Sequence, residues 1–345
     1  MRIDSQQELI KPNILINALP VTTPVVDTIN NARQQVDHII QGKDNRLLVV
    51  MGPCSIHDTD AALEYAKRLK SAAIRFADDL FIVMRVYFEK PRTTIGWKGL
   101  ISDPFLNGRF DVNHGLSLAR KLLVDLNHLG IPTGTEFLDT LILPQYLSDL
   151  VSWCAVGART VESQIHRELA SGLPMPVGFK NNTDGNIKVA IDAINAASYP
   201  HHFISITKEG IPSIMHSKGN QSCHIILRGA NNAPNYYMHV IQETVDLLKK
   251  ANLNPRVMVD CSHGNSLKEY QRQPIVLNDI ALQIKNGSKD ICGVMLESNL
   301  IEGKQDLNLQ PDLIYGKSIT DGCIGWEDSL KLLEILALAV KKRDD

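Results

Sequence analysis

Eight apolar segments of strand length recur along this chain, at residues 47–51, 80–86, 131–137, 153–157, 176–180, 224–228, 257–261 and 292–297. Each is rich in branched or aromatic residues, the pattern of a buried strand. Between them lie amphipathic stretches at 59–77, 114–129, 163–171, 184–197, 237–251 and 267–285. A last helix follows at 326–342, with Leu330, Leu333, Leu336, Ala337 and Val340 spaced for one buried face. Strands that alternate with helices pair in parallel through right-handed crossovers. Eight such units fit a closed (β/α)8 barrel, the TIM barrel of α/β proteins, better than an open sheet. One segment breaks the rhythm. Residues 203–215 alternate apolar and polar around Gly210 and read as an inserted β-hairpin.

Residues 1–45 read as a separate extension, interrupted by Pro12, Pro20 and Pro24 before a helical stretch at 24–41. Residues 46–345 show no shift of composition that would divide them, and read as a single catalytic barrel. Lys and Arg number 36 against 38 Asp and Glu, so net charge gives no reason to expect nucleic acid or an anionic membrane as partner. No apolar run is long enough to span a bilayer, and the N-terminus has no signal-peptide core. The six cysteines are scattered, without a C-x-x-C pair. That pattern points to reduced thiols and a cytoplasmic setting.

In a barrel the chemistry gathers where the strands end. The segment at 80–86 runs into Arg85, Lys90, Pro91, Arg92 and Thr93; later ones end at Glu136, at Gly157-Ala158-Arg159, at Lys180 and at Arg228. Five cations, Arg85, Lys90, Arg159, Lys180 and Arg228, therefore face one mouth. They would repel one another unless anions neutralised them. A small guest carrying phosphate and carboxylate meets that need, since Arg offers a planar fork and Lys a movable point charge. The long, weakly patterned stretch between 86 and 113 reads as a lid bearing Lys90, Arg92 and Thr93, with Arg92 available for a second phosphate.

A second set shares the mouth: Cys54, His263, Glu297 and Asp321. One thiolate, one imidazole and two carboxylates form a mixed site for a divalent transition metal, with Mn2+, Fe2+, Co2+ and Zn2+ all admissible. Cys261, Cys323 and His57 are rival ligands, and placement favours Cys54.

These residues fall in ordered motifs. They include Gly52-Pro-Cys-Ser-Ile-His57, Met84-Arg-Val-Tyr-Phe-Glu-Lys-Pro-Arg-Thr-Thr94, Gly157-Ala-Arg-Thr160, Val177-Gly-Phe-Lys-Asn181, Ile226-Leu-Arg-Gly229, Val259-Asp-Cys-Ser-His-Gly-Asn265 and Tyr315-Gly-Lys-Ser-Ile-Thr-Asp321. From about residue 24 to 343 the chain resembles the type I 3-deoxy-D-arabino-heptulosonate 7-phosphate (DAHP) synthases, in their larger, feedback-regulated bacterial form. The resemblance implies condensation of phosphoenolpyruvate with D-erythrose 4-phosphate, the entry to the shikimate pathway. It implies metal ligation by Cys54, His263, Glu297 and Asp321. It implies phosphoenolpyruvate binding by Arg85, Lys90, Arg159, Lys180 and Arg228, with the backbone at Gly157 and Ala158. Lys90, Pro91, Arg92 and Thr93 would contact the erythrose phosphate. Lys90 would give a proton to the aldehyde oxygen, and Glu136 would orient the attacking water. Asn182 stands where the family usually has Gly, and the loop 228–234 is one residue longer than usual, so loop geometry is the point to check.

The resemblance also implies a homotetramer, a dimer of dimers, and a site for an aromatic amino acid inhibitor. The inhibitor site would be built from the hairpin, a nearby helix and a neighbour's N-terminal arm. Pro144, Gln145, Leu173, Pro174, Phe203, Ser205 and Met215 would line it. Phe203 with Ser205 looks like the phenylalanine-sensitive form, whereas Pro174 stands where serine often sits. Two other readings stay open: a metal-dependent barrel aldolase that uses pyruvate as donor, and an inactive amino-acid sensor, which would be expected to have lost metal ligands.

Overall fold

The computed structural model describes residues 1–92, 95–307 and 313–344. Two helices come first, α1 (Pro12–Ala18) and α2 (Thr23–Ile40), and then the alternation begins. It runs β1 (Leu47–Gly52), α3 (Thr59–Arg75), β2 (Leu80–Arg85), α4 (Val112–His128), β3 (Thr133–Glu136), α5 (Leu143–Leu147), β4 (Trp153–Val156), α6 (Gln164–Gly172), β5 (Val177–Lys180) and α7 (Lys188–Ala197). The hairpin β6 (His202–Ile206) and β7 (Pro212–His216) interrupts it. Then follow β8 (Cys223–Leu227), α8 (Met238–Lys250), β9 (Val257–Asp260), α9 (Gln273–Lys285), β10 (Ile291–Glu297), a short pair β11 (Ile301–Lys304) and β12 (Lys317–Ser318), and α10 (Trp326–Asp344).

Strands β1, β2, β3, β4, β5, β8, β9 and β10 pair in that order, all parallel, and β10 closes back on β1. The expected barrel is therefore closed. Its strands alternate between two apolar clusters. Leu47, Val49 and Met51 of β1 face the surrounding helices, whereas Leu48 and Val50 meet Val83, Trp153, Ile226 and Met258 inside the barrel. Burial of both faces explains why the strands read as continuous apolar runs.

Val36, Ile39 and Ile40 of α2 join the interior cluster, so this helix plugs the barrel floor. Arg256 Nη1 donates to Ile39 O at 2.6 Å, and Asn254 Nδ2 to Ile40 O at 2.6 Å, which fixes the plug in place. The C-terminal part of α2 is thus packed against the barrel interior of its own chain. Among the described residues, no helix is long and apolar enough to cross a membrane.

Two helix starts differ from the sequence pattern by more than two residues. The helix expected over 267–285 starts at Gln273, because Leu267 and Lys268 adopt φ of 54° and 62°. Left-handed backbone cannot continue a helix. The helix expected over 184–197 starts at Lys188. Asn182 Oδ1 accepts from Asp184 N and Asn186 N, and forms a turn that the helix follows. The left-handed residue in that turn is Gly185, at φ 90°, so Asn in place of Gly at 182 creates no strain.

His224, on β8, is buried inside the barrel near Trp153, with ring centroids 6.0 Å apart. Burial depresses its pKa to about 3. An exposed histidine titrates near ~6.5. Below that pH the unfolded chain takes up a proton that the folded chain refuses, so stability falls as pH falls towards 3. A His224→Leu variant should lack this contribution. Its denaturant-unfolding free energy, compared with wild type between neutral pH and pH ~5, should fall less by about 1 kcal/mol per pH unit.

Candidate active site

The last residues of five barrel strands are Arg85, Glu136, Lys180, Asp260 and Glu297. All stand at the carboxyl ends, and all but Asp260 line a cavity of about 610 Å³. Its lining includes Arg85, Lys90, Pro91, Arg92, Glu136, Gly157, Ala158, Arg159, Lys180, Arg228, His263, Glu297 and Asp321. Every expected mouth residue is there except two. Cys54 is fully buried just behind the wall, and Thr93 lies outside the described residues.

The cations do not stand bare, as the repulsion argument supposed. Arg85, 1% exposed, places Nη2 3.0 Å from Glu297 Oε1 and stacks its guanidinium 3.5 Å from the Tyr87 ring centroid. Lys180 Nζ lies 2.7 Å from Asp260 Oδ2. Lys90 Nζ lies 3.1 Å from Cys54 Sγ and 3.9 Å from Asp321 Oδ2. Among the described residues, Arg159 and Arg228 have no such carboxylate partner within ion-pair distance. Burial lowers the Arg228 pKa, Asp260 pulls it back up, and Arg159 adds to the lowering. These two arginines are the clearest demand for an anionic guest.

Two carboxylates organise this mouth. Burial disfavours the charge on Glu297, but His263, Arg85 and Lys90 outweigh it and bring its pKa down to about 2. Asp260 is likewise opposed by burial, yet His263 and Lys180 hold it well below the usual carboxylate range. Ser262 Oγ donates to Glu297 Oε2 at 2.9 Å, and Gln273 clamps the Glu297 backbone through both its amide atoms.

Cys54 Sγ and carboxylate oxygens of Glu297 and Asp321 lie within 4.8 Å of one another. Cys54 Sγ is 3.6 Å from Asp321 Oδ2. His263 stands beside this trio: its Nε2 is 3.6 Å from Glu297 Oε1, while its Nδ1 is 2.8 Å from Asp260 Oδ2. A carboxylate behind an imidazole fixes ring orientation, the usual support of a metal-binding histidine. Burial and then Glu297 push the Cys54 thiol up to about 11, so its thiolate needs added positive charge. For Lys90, burial opposes the charged form, but Cys54, Glu297 and Asp321 outweigh it and raise its pKa. A thiol wedged among carboxylates next to an imidazole fits a borderline divalent cation. Of the rivals, Cys261 packs in the helix-facing core. Cys323 is buried, with Sγ 3.7 Å from Asp321 O.

Local backbone serves the same end. A side chain at Gly157 would put its Cβ 2.3 Å from Glu136 Oε1, so glycine lets that carboxylate reach the mouth. Gly229 has φ 76°, and a Cβ there would meet Asn265 N at 2.5 Å. Asn181 accepts from Arg228 N and Asn235 Nδ2, Asn235 accepts from Gly229 N, and Asn265 accepts from Asn235 N. This buried amide network ties the ends of β5, β8 and β9 together and sets where Arg228 begins. Ala230 N donates to Ala233 O, which closes the longer loop. In the sequence Asn181, Asp260 and Asn265 stand only as members of motifs, with no role assigned, and Asn235 carries no signal. Ser262, Lys268, Tyr270 and Lys304 also line the cavity and were not singled out.

A second cavity, about 480 Å³, is lined by all seven residues expected at the inhibitor site: Pro144, Gln145, Leu173, Pro174, Phe203, Ser205 and Met215. Ser205 Oγ donates to Leu141 O at 2.6 Å and anchors the hairpin to the segment before α5. That segment reaches the mouth as well. Asp139 Oδ1 accepts from the amides of Leu141, Ile142 and Leu143, while Glu89 takes the amides of Leu138 and Asp139.

A closed parallel barrel with cations and a thiol–carboxylate cluster at its strand ends has the makeup of a barrel enzyme acting on small anions. The family model described as DAHP synthetase I family matches residues 22–334. Phospho-2-dehydro-3-deoxyheptonate aldolase, Phe-sensitive, of Escherichia coli (strain K12) is 56% identical over 343 residues, covering 99% of this chain and 97% of that protein. The Trp-sensitive protein of the same strain is 52% identical over 337 residues, 98% and 96% of the two chains. The solved structure of phospho-2-dehydro-3-deoxyheptonate aldolase from Francisella tularensis SCHU S4 superposes with a TM-score of 0.97 at 52% identity, covering 99% of each chain. The chain belongs to the DAHP synthetase I family.

An Asp260→Asn variant leaves Lys180 buried without its counter-charge. Its unfolding free energy in urea should drop by about 3 kcal/mol, the scale for half of a buried ion pair. A loss below ~1 kcal/mol would show that Lys180 does not depend on Asp260.

Proposed function

We propose that this protein condenses phosphoenolpyruvate with D-erythrose 4-phosphate and water to give DAHP and phosphate, the first step of the shikimate pathway, as a metal-dependent cytoplasmic enzyme. The observation that carries the reading is the convergence of Arg85, Lys90, Arg159, Lys180 and Arg228 on one cavity, whose wall holds Glu297 and Asp321 with Cys54 close behind them. Family membership at 56% identity to a phospho-2-dehydro-3-deoxyheptonate aldolase supports it.

Arg159 and Arg228 take the phosphate of phosphoenolpyruvate, helped by the backbone at Gly157 and Ala158. Lys180 and Arg85, held by Asp260 and Glu297, present their remaining N–H groups to its carboxylate. Pro91, Arg92 and Thr93 hold the erythrose phosphate. Cys54, His263, Glu297 and Asp321 hold one divalent transition metal, which supplies Lewis-acid polarisation of the aldehyde oxygen when bound. Lys90 is charged and close to that cluster, and it gives its proton to the aldehyde oxygen as the C–C bond forms. Glu136 orients the water that adds to the phosphate-bearing carbon, from which phosphate leaves with C–O cleavage.

The second cavity takes an aromatic amino acid as feedback inhibitor, phenylalanine in preference to tyrosine or tryptophan. Phe203 offers a ring face and Ser205 a hydroxyl. Residues 1–45 supply contacts between subunits of a homotetramer built from two dimers, and complete the inhibitor site of a neighbour.

Consumption of phosphoenolpyruvate should depend strictly on erythrose 4-phosphate, cease in EDTA and return with Mn2+, Co2+, Fe2+ or Zn2+. Turnover of pyruvate instead would favour a simple aldolase, and no turnover with metal restored would favour an amino-acid sensor. Lys90→Met should lose about 100-fold or more in kcat while still binding metal; normal turnover would refute the acid role. In initial-rate assays, phenylalanine should inhibit at lower concentration than tyrosine or tryptophan, and the opposite order would overturn the preference.

A further inference from the structure

The hairpin of β6 and β7 carries a side-chain arrangement that the proposed chemistry does not use. His202 and His216 are register partners on its two strands, and both are exposed. Their ring centroids lie 4.3 Å apart, edge to face. Backbone bonds run from Ser217 N to His201 O and from Thr207 N to Ile211 O. Hydrogen-bonded pairs therefore fall at 201–217 and 207–211. Such pairs alternate with non-bonded pairs along an antiparallel ladder, so 202–216 is a non-bonded pair, where facing side chains come closest. His201 takes no part in this pairing; its Nε2 lies 2.8 Å from Ala196 O.

We propose that His202 and His216 form a two-imidazole site for a borderline divalent cation of the Ni2+, Cu2+ or Zn2+ kind, separate from the barrel mouth. Imidazole nitrogen is the donor these ions share. Metal–nitrogen bonds of about 2.0–2.1 Å need the two donor atoms roughly 3 Å apart. Rotation of the rings about their own side-chain bonds supplies that spacing without moving the strands. Water fills the other coordination positions. Mg2+ and Ca2+, which want oxygen donors, gain nothing here.

The hairpin is a two-stranded sheet of its own, with no barrel strand beside it. An isolated ribbon of that kind is weak. A cation bridging 202 and 216 pins its open end. His216 itself lines the second cavity, as do Phe203, Ser205 and Met215 at register positions between the pair. Occupancy of the histidine pair therefore stiffens one wall of that cavity.

The test is calorimetric titration of the full chain with Ni2+, beside His202→Ala, His216→Ala, Cys54→Ala and the exposed control His239→Ala. Wild type and His239→Ala should bind one equivalent more than either hairpin variant. Loss of an equivalent in Cys54→Ala reports the mouth alone, so the two sites are told apart. Hydrogen exchange of the amides from 202 to 216 should slow with Ni2+ in wild type and not in His202→Ala. Equal Ni2+ stoichiometry in wild type and both hairpin variants overturns the proposal, as does an exchange rate that Ni2+ leaves unchanged.

Discussion

Asp260 and Glu297 stand at the ends of adjacent barrel strands, both buried, and neighbouring cations hold both carboxyls below the usual carboxylate range. Burial of a lone carboxylate is prohibitive, so each exists only because cations reach it. Lys180 and His263 converge on Asp260; Arg85 and His263 converge on Glu297. His263 lies between the two, one ring nitrogen towards each. The arrangement is mutual. The carboxylates allow a cluster of cations to survive at the barrel mouth, and the cations favour the ionised form of both carboxylates. Remove either side and the other becomes a buried, uncompensated charge.

That mutual dependence was only half legible in the sequence. Arg85, Glu136, Lys180 and Glu297 could be placed because each is the last or next-to-last residue of a short apolar run. Glu297 could also be matched with Cys54, His263 and Asp321 by donor chemistry. Asp260 carried the same positional signal, but nothing along the chain shows that Lys180, eighty residues earlier, ends at its carboxylate. Pairing across β5, β8 and β9 is a property of barrel register. Carboxylates of the chain itself therefore neutralise Arg85, Lys90 and Lys180, and the demand for an anionic guest narrows to Arg159 and Arg228. The short helix at Leu143–Leu147 was likewise missed: it spans five residues beside Pro144, too few for a helical period to declare itself. The hairpin was legible, since apolar and polar residues largely alternate on either side of the Gly210 turn. The plug formed by α2 was not, because an apolar helix face does not say which surface it covers.

The two cavities are linked by the segment after β3. Glu89 holds the amides of Leu138 and Asp139 next to the mouth, and Ser205 holds Leu141 beside the hairpin. Burial pushes the Glu89 carboxyl up to about 7, against the lowering from those amides. A few residues thus touch both the segment that carries Lys90 and the wall that carries Phe203. Both cavities are therefore braced by the same short segment of chain between β3 and α5.

The central claim is that Cys54, with Glu297 and Asp321, forms a cation site behind the anion-binding mouth. X-ray absorption on protein loaded with one equivalent of zinc reads the donor atoms directly. The account predicts a single sulfur at about 2.3 Å among nitrogen and oxygen donors, absent from the Cys54→Ser protein. A shell of nitrogen and oxygen alone in wild type, or a sulfur that persists in Cys54→Ser, would contradict it.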